Sequence, residues 1–183
     1  MKRSLLFLFA FCSLNLFAQE DDQLHYLDLV ESYYDKQTKQ PLFIYDRMNG
    51  KIIDTLHNID DKHAWYKIAI LDSDYGWFKI KNIQRLPGSY KNYDHENHWV
   101  RSTNFLISVD VYGENHRAYL YDEPRKSSNK IHKIDSFKRV NVLETNDLWA
   151  KVSFVVAKKE VIGWLSFKDQ CAYPWTTCPK YDE

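Results

Sequence analysis

A short aromatic pattern occurs twice in this chain, and it constrains the architecture more than any other feature. The first copy runs from Trp65 to Ile70 and continues to Gly76-Trp77-Phe78. The second copy runs from Trp149 to Phe154 and continues to Gly163-Trp164-Leu165. Each copy reads Trp-x-Lys-(Ile/Val)-small-(Ile/Phe), then a polar interval, then Gly-Trp-hydrophobic. An internal repeat of this kind predicts two similar structural units.

The hydrophobic residues of both halves recur with a period of two, which is typical of β-strands. Turn-forming residues separate these stretches, at Asn49-Gly50, Asp72-Ser73-Asp74 and Asn146-Asp147. Many short strands at close spacing predict an all-β protein built as a small barrel or sandwich. Because the strand pattern is present twice, we expect two small β-barrel domains in tandem.

The domain boundaries follow from the repeat and from a polar, turn-rich stretch between its copies. We expect a first domain over 19–86, a linker over 87–98 and a second domain over 99–183. The copies are unequal, because Val140-Asn141-Val142-Leu143 has no clear counterpart in the first half. We therefore predict that the first domain is degenerate and that the second is complete.

The first 18 residues have the composition of a secretory signal peptide. Lys2 and Arg3 precede an apolar stretch from Leu5 to Phe17, and Ala18 provides a small residue for cleavage. This stretch is too short for a good transmembrane helix, and no later segment is apolar enough to cross a bilayer. Lipid attachment at Cys12 is the alternative, although the residues before it fit poorly. We expect an exported protein, periplasmic or extracellular, with no integral membrane span.

Two cysteines, Cys171 and Cys178, remain after the signal peptide. An oxidising compartment favours a disulfide between them, which would fix the C-terminal tail to the second domain. Metal binding is the alternative interpretation. It is less favoured, because no nearby Cys or His pair completes a site and zinc sites prefer tighter spacing.

The charge balance argues against nucleic acid as a partner. The chain has 25 basic and 25 acidic residues, and loss of Lys2 and Arg3 leaves a slight acidic excess. A nucleic-acid-binding protein would carry a basic excess or a basic stripe, and neither is present.

The second half resembles a bacterial SH3-like (SH3b) domain. The resemblance rests on an ordered set of motifs over about 60 residues. These are Ala118-Tyr119-Leu120-Tyr121, Lys130-Ile131, Val140-Asn141-Val142-Leu143, Trp149-Ala150-Lys151-Val152 and Gly163-Trp164-Leu165. The first half matches more weakly, and the whole chain resembles secreted tandem SH3-like proteins of Bacteroidetes. This implies two small SH3-like barrels that serve as non-catalytic binding modules for cell-wall peptides or other proteins.

Strand alternation separates a core face from an outer face. In the first copy Tyr66, Ile68 and Ile70 share one face, which we expect to be the core face. The tryptophans then lie on the outer face together with lysines, and two tyrosines extend the strip. We predict these residues as ligand-binding, although a minor core under a long loop is the alternative interpretation. The predicted ligand-binding residues are Tyr45, Trp65, Trp77, Tyr121, Trp149 and Trp164.

No motif indicates catalysis. The histidines are scattered, and the pair His95 and His98 with Asp94 and Glu96 fits a solvated loop better than a metal site. No nucleophile–base pairing and no phosphate-binding glycine loop is present. We therefore expect no enzyme activity, no cofactor and no metal. The predicted partner is a peptidoglycan peptide or a protein ligand, with a protein–protein adaptor or inhibitor-like partner as the alternative function.

Overall fold

The structure is a computed structural model that describes residues 28–57, 59, 64–86, 92–101, 103–109 and 117–172. The predicted signal peptide and Cys178 lie outside these residues. The described part of the chain is all-β, as predicted, with one short 3-10 helix, Phe167–Asp169. Among these residues no helix is long and apolar enough to cross a bilayer.

Seven strands precede residue 102 and seven follow it. The first seven are β1 (Val30–Tyr34), β2 (Leu42–Tyr45), β3 (Ile52–Leu56), β4 (Trp65–Asp74), β5 (Trp77–Leu86), β6 (Asn92–Tyr93) and β7 (Trp99–Arg101). The other seven are β8 (Phe105–Val109), β9 (Ala118–Tyr121), β10 (Lys130–Ile134), β11 (Lys138–Asn146), β12 (Trp149–Val156), β13 (Lys159–Leu165) and β14 (Gln170–Cys171).

All strands belong to one antiparallel sheet. Its order is β10-β9-β13-β12-β11-β8-β1-β4-β5-β7-β2-β3, with β14 beside β8 and β6 beside β5. The two halves meet at the centre, where β1 pairs with β8. Each half contributes six strands to this path in the same order, counted outward from the centre. The first half therefore supplies as many strands to the path as the second half does.

The shared strand order changes which residues of the two halves correspond. β4 takes the place of β11, β5 that of β12, and β7 that of β13. The strand Ile68-Ala69-Ile70 is thus the counterpart of Val140-Asn141-Val142 that seemed to be missing. The hairpin pairs confirm this register, since Asp74 faces Trp77 as Asn146 faces Trp149. Trp77 therefore matches Trp149, and Trp99 matches Trp164.

The two glycines that the sequence pattern equated have different roles. Gly76 has φ +78° in the two-residue turn between β4 and β5, which glycine adopts without strain. Gly163 lies within β13, where an added Cβ would be 2.9 Å from the Leu120 Cβ. Glycine at 163 therefore allows close strand packing, whereas glycine at 76 allows a turn. The predicted turn at Asp72-Ser73-Asp74 is instead part of β4.

Strand β7 pairs with β5 and β2, both of the first half. Strand β6 also pairs with β5. The predicted linker over 87–98 includes β6, and the predicted second domain over 99–183 begins with β7. In the structure the first half extends to Arg101.

The predicted core face is confirmed. Tyr66, Ile68 and Ile70 belong to one buried apolar cluster, as do Val152 and Phe154 of the second half. This cluster contains buried residues from all twelve strands in the path, including Leu56 of β3 and Val100 of β7. Apolar burial on this scale is the main stabilising contribution to a β fold of this size.

The two halves also make a polar contact at equivalent positions. The Ser73 hydroxyl donates to the Thr145 carbonyl at 3.2 Å and accepts from the Thr145 amide at 2.6 Å. Ser73 faces Phe78 as Thr145 faces Ala150, so the two residues correspond. A contact between equivalent residues is what an approximate twofold axis between the halves produces.

Candidate functional site

An open apolar groove with a predicted binding residue lies in the second half, beside Trp149. Its volume is about 450 Å³. The β9–β10 loop, the β11–β12 turn and the segment after β13 surround it. The lining residues are Pro124, Arg125, Lys126, Leu148, Trp149, Ser166, Phe167 and Lys168. We call this the Trp149 groove.

Trp149 is half-buried and is held by Tyr121. Their rings meet edge to face at 5.4 Å with an interplanar angle of 86°. Burial raises the pKa of Tyr121, and the nearby Asp169 carboxylate raises it further. Tyr121 therefore stays neutral near pH 7, and its main role here is to fix the indole of Trp149.

Trp164 supports this arrangement from the neighbouring strand. It is buried and faces Tyr121 across the β13–β9 pairing. The Lys151 ammonium lies 5.6 Å from the centre of its ring and 3.1 Å from Glu144 Oε2. Trp164 does not line the groove.

The β9–β10 loop has a defined shape. The Asp122 carboxylate accepts hydrogen bonds from the Asn129 amide at 2.9 Å and from its side chain at 2.8 Å. The side-chain bond from Asn129 lowers the pKa of Asp122. The Ser128 hydroxyl bonds the Arg125 carbonyl at 2.8 Å. These bonds close the loop and hold Pro124 to Lys126 beside Trp149.

The equivalent position in the first half is covered. Trp77 meets Tyr45 edge to face at 4.9 Å, which repeats the pairing of Trp149 with Tyr121. However, Trp77 is only 6% exposed, and the Arg101 guanidinium lies 5.9 Å from the centre of its ring. The same aromatic pair is thus present in both halves. A cleft of about 300 Å³ also lies beside the first-half turn, but it is lined by Gly76, Arg101 and Thr103 and not by Trp77.

Three differences explain why Trp149 lines a groove whereas Trp77 is covered. Trp77 faces Arg101 across the β5–β7 pair, whereas the β12–β13 register places the small Ser166 opposite Trp149. Leu148 takes the place of Gly76 in the hairpin turn. The loop after β9 is also longer, since six residues separate Asp122 from Asn129 but only four separate Asp46 from Lys51.

Trp65 lies apart from the other five predicted binding residues. It is 3% exposed and packs with Tyr33, Leu86 and Leu106 in a second apolar cluster. Its ring meets that of Tyr33 edge to face at 6.3 Å. This cluster lies on the face of the sheet opposite the main core and joins strands of both halves. The outer face of β4 is therefore buried, which the alternation alone did not predict.

A buried ion pair lies on the same face of the sheet. Lys67 Nζ is 3.0 Å from Glu31 Oε1, and the two side chains are 2% and 9% exposed. Burial lowers the pKa of Lys67, and the Glu31 carboxylate opposes that shift. The pair links β4 to β1, and neither residue lines the Trp149 groove.

The histidines near β6 form a packed cluster. His95 Nε2 lies 2.9 Å from Asp54 Oδ2, and the His95 ring stacks on Tyr93. Tyr93 also packs against Tyr66, whose pKa is raised to about 12, mainly by burial. Among the described residues no three His, Cys, Asp or Glu side chains are placed to hold a metal ion.

Cys171 is buried next to β8 and is disulfide-bonded. Because Cys178 lies outside the described residues, the pairing of Cys171 with Cys178 remains a prediction.

Sequence analysis did not identify Trp99, Arg101, Leu148 or Phe167 as relevant to the site. One pattern could have revealed the correct register, because Trp77-Phe78-Lys79-Ile80 matches Trp149-Ala150-Lys151-Val152 as well as Trp65-Tyr66-Lys67-Ile68 does. If Trp77 is matched with Trp149, the residue on the neighbouring strand is Arg101 for Trp77 and Ser166 for Trp149.

No protein-family model and no curated protein matches the sequence. Among solved structures, the chain is similar to NlpC2 from Trichomonas vaginalis, with 15% identity over 82% of this chain and a TM-score of 0.32. It is also similar to NlpC1 from the same organism, with 13% identity over 86% of this chain and a TM-score of 0.33. The chain spans 50% of the length of each.

Proposed function

We propose that this chain is an exported, non-catalytic binding protein with two SH3-like modules, and that its second half recognises an extended peptide such as a cell-wall peptide. The observation that carries this proposal is the half-buried Trp149 indole, held edge-on by Tyr121 at the side of an apolar groove. Rigid aromatic side chains provide a large contact area while losing little conformational entropy on binding.

The SH3-like interpretation is supported by the order of the motifs and by the strand order of each half. In both halves an opening strand is followed along the chain by five further strands of the path. The strand with the Trp-x-Lys-(Ile/Val) motif is β5 in the first half and β12 in the second. It lies between its hairpin partner, β4 or β11, and the strand that carries the next tryptophan, β7 or β13. Export is supported by the composition of residues 1–18. We further propose that each half is a small barrel-like module. The described strands form one sheet that is not closed.

The test is a binding assay of the mature protein with purified peptidoglycan sacculi and with soluble cell-wall peptides. We expect Trp149→Ala to lose at least tenfold in affinity, while its thermal unfolding midpoint falls only modestly because the residue is partly exposed. Trp149→Phe is the matched control, since it keeps an aromatic ring in the groove and should retain most of the binding.

Two results would contradict the proposal. Absence of binding to sacculi and to all soluble peptides would exclude cell-wall peptides as the ligand. A large fall in the unfolding midpoint of Trp149→Ala would mean that the indole belongs to the core.

The alternative function is a protein–protein adaptor or inhibitor-like partner that uses the ends of the sheet. Strands β3 and β10 lie at the two ends of the described sheet. Ile52, Ile53 and Ile131 on these strands are each about half exposed, at 51%, 48% and 48%. Exposed apolar edge strands can pair with another protein. Under this alternative, Ile53→Lys would abolish association with a protein partner and Trp149→Ala would not.

A further inference from the structure

The cleft beside the β4–β5 turn lies where the two halves of the chain meet. Its volume is about 300 Å³. The first half contributes Phe43, Tyr75 and Arg101 to its lining, and the second half contributes Val142 and Leu143. None of these residues lines the Trp149 groove. We call this site the Tyr75 cleft.

Tyr75 is the most unusual residue of the Tyr75 cleft. Its side chain is 93% exposed, so its ring has almost no packing within the described protein. Its φ is +46°, in a two-residue hairpin turn whose positive-φ positions are usually occupied by Gly, Asn or Asp. Neither burial nor backbone conformation favours tyrosine here. A residue that is kept at a cost in stability is typical of a functional site.

Two further apolar side chains are exposed at the cleft. Phe43 of β2 is 38% exposed, and Leu143 of β11 is 36% exposed. The pairing of β11 with β12 shifts register between Val142 and Glu144, so Leu143 is the extra residue of a β-bulge. A bulge changes the direction of a side chain, and Leu143 lines the cleft. Three separate elements thus provide apolar surface around the same space.

Polar side chains complete the lining. Gln40, Thr103 and Asn104 provide amide and hydroxyl groups, and Arg101 provides a guanidinium. Arg101 forms no ion pair with any described residue, and its guanidinium lies over the Trp77 ring. Its N–H groups therefore remain donors for a ligand.

Hydrogen bonds hold the polar side of the cleft in place. The Tyr34 hydroxyl donates to the Gln40 carbonyl at 3.0 Å, and the Gln40 amide donates to Thr38 Oγ1 at 3.3 Å. The Asn104 side-chain amide donates to the same Thr38 oxygen at 3.3 Å. The Asn104 carbonyl accepts from the Asp35 amide at 2.9 Å. A site ordered in advance loses less conformational entropy when a ligand binds.

The charges around the cleft balance. Its lining comes from 34–43, 75–76, 101–104 and 142–143. With the residues next to them, these segments carry three acidic and three basic side chains, namely Asp35, Asp74 and Glu144, and Lys36, Lys39 and Arg101. Glu144 is paired with Lys151 at 3.1 Å. The balance gives no preference for a cation or an anion, so it favours a neutral ligand.

Every strand that lines the cleft is an interior strand of the sheet. Strands β1, β2, β7 and β11 each have two neighbours in the strand order. An extended peptide therefore cannot add to the sheet here, and a ligand must be recognised by side chains.

We propose that the Tyr75 cleft binds a neutral saccharide. Sugar hydroxyls would exchange hydrogen bonds with Gln40, Arg101 and Thr103, and the C–H face of a sugar ring would pack on the Tyr75 ring. The site is separate from the Trp149 groove, so the inference goes beyond the proposed function.

The experiment is isothermal titration calorimetry of the mature protein with two neutral β-1,4-linked trisaccharides, one of N-acetylglucosamine and one of glucose. The first represents the acetamido sugars of a cell-wall glycan, and the second represents a plain hexose polysaccharide. We expect saturable binding of at least one of them, and the better ligand identifies the source.

The variant Tyr75→Asn assigns the binding to the cleft. It should reduce the affinity for the better trisaccharide by about tenfold, because the aromatic contact is lost. Its thermal unfolding midpoint should stay the same or rise, since Asn tolerates positive φ, so the loss cannot come from unfolding. Tyr75→Phe keeps the ring and should retain most of the affinity.

Lys158→Asn is the matched control. Lys158 also has a positive φ, +67°, in the β12–β13 hairpin turn, and it does not line the cleft. This variant should bind the trisaccharide as the natural protein does.

Two results would overturn the inference. One is failure of both trisaccharides to bind, and the other is an unchanged trisaccharide affinity in Tyr75→Asn. If Tyr75→Asn instead weakens binding of a soluble cell-wall peptide, the cleft belongs to a peptide site. The proposed function is judged separately, because its test uses Trp149→Ala and soluble cell-wall peptides.

Discussion

The two halves of this protein share a strand order and an aromatic pair, but they differ in what covers the pair. In the first half, Arg101 lies over Trp77 and leaves it buried. In the second half, Ser166 occupies the matching position and Trp149 borders an open groove. The comparison indicates that a fold repeated within one chain can keep its core pattern while the residue across from the tryptophan differs, so that the indole is covered in one half and lines a groove in the other.

The largest expected effect concerns a second difference between the halves, the buried ion pair Lys67–Glu31. The second-half positions that correspond to it hold Arg139, which is exposed, and Leu106. Glu31→Leu alone should destabilise the protein by about 3–5 kcal/mol, because it leaves the Lys67 ammonium buried without its carboxylate. Urea unfolding of the mature protein measures this loss.

The double variant Glu31→Leu/Lys67→Met is the control for that experiment. It should restore most of the lost stability, since replacing both charges with apolar groups removes the desolvation cost. A loss below about 1 kcal/mol in Glu31→Leu would contradict the burial of the pair, because that is the magnitude for exposed pairs.

The next effect tests the exchange of Arg101 and Ser166. Ser166→Arg should close the groove and reduce peptide affinity at least tenfold, since the guanidinium would cover Trp149 as Arg101 covers Trp77. Ser166→Ala is the matched control and should leave the affinity unchanged. Equilibrium titration with one soluble cell-wall peptide compares Ser166→Arg, Ser166→Ala and the natural protein.

The reciprocal change, Arg101→Ser, should expose the Trp77 ring and lower stability by about 0.5–1 kcal/mol through loss of the cation–π contact. If Ser166→Arg binds as well as the natural protein, the residue facing the tryptophan does not control access, and the comparison between the halves fails.

The smallest effect concerns the hairpin turns, where Tyr75 in the first half matches Asp147 in the second. Both have positive φ, +46° for Tyr75 and +48° for Asp147, a conformation that Asn and Asp tolerate better than Tyr. Tyr75 is 93% exposed, so its ring loses little packing when replaced. Tyr75→Asn should therefore stabilise the protein by about 0.5–1 kcal/mol.

Thermal unfolding measures the effect of Tyr75→Asn, and Asp147→Tyr is the reciprocal variant that should destabilise by a similar amount. A fall in stability for Tyr75→Asn would mean that the exposed ring makes a contact that outweighs its backbone strain.

Several features of the fold were predictable from sequence because they depend on local periodicity. The alternation placed Tyr66, Ile68 and Phe78 in the core, and the structure has them there. The match between the repeats was not predictable in the same way. Trp-x-Lys-(Ile/Val) occurs in β4, β5 and β12, and alternation alone cannot decide which two correspond.

The candidate site was predictable only in part. The pairs Tyr45–Trp77 and Tyr121–Trp149 do contact each other. Whether each pair is open depends on residues across a strand pair, Arg101 and Ser166, whose register the sequence does not reveal. The burial of Trp65 depends on β1 and β8 joining the two halves, a long-range contact that leaves no periodic pattern.

The pairing of β1 with β8 has a consequence for how the chain can be divided. Each of these strands covers an edge that the other half would otherwise present to solvent. A fragment ending at Arg101 would expose the free edge of β1 together with Tyr33 and Trp65. We expect such a fragment to self-associate through that edge, so expression of single halves would yield aggregates or swapped dimers.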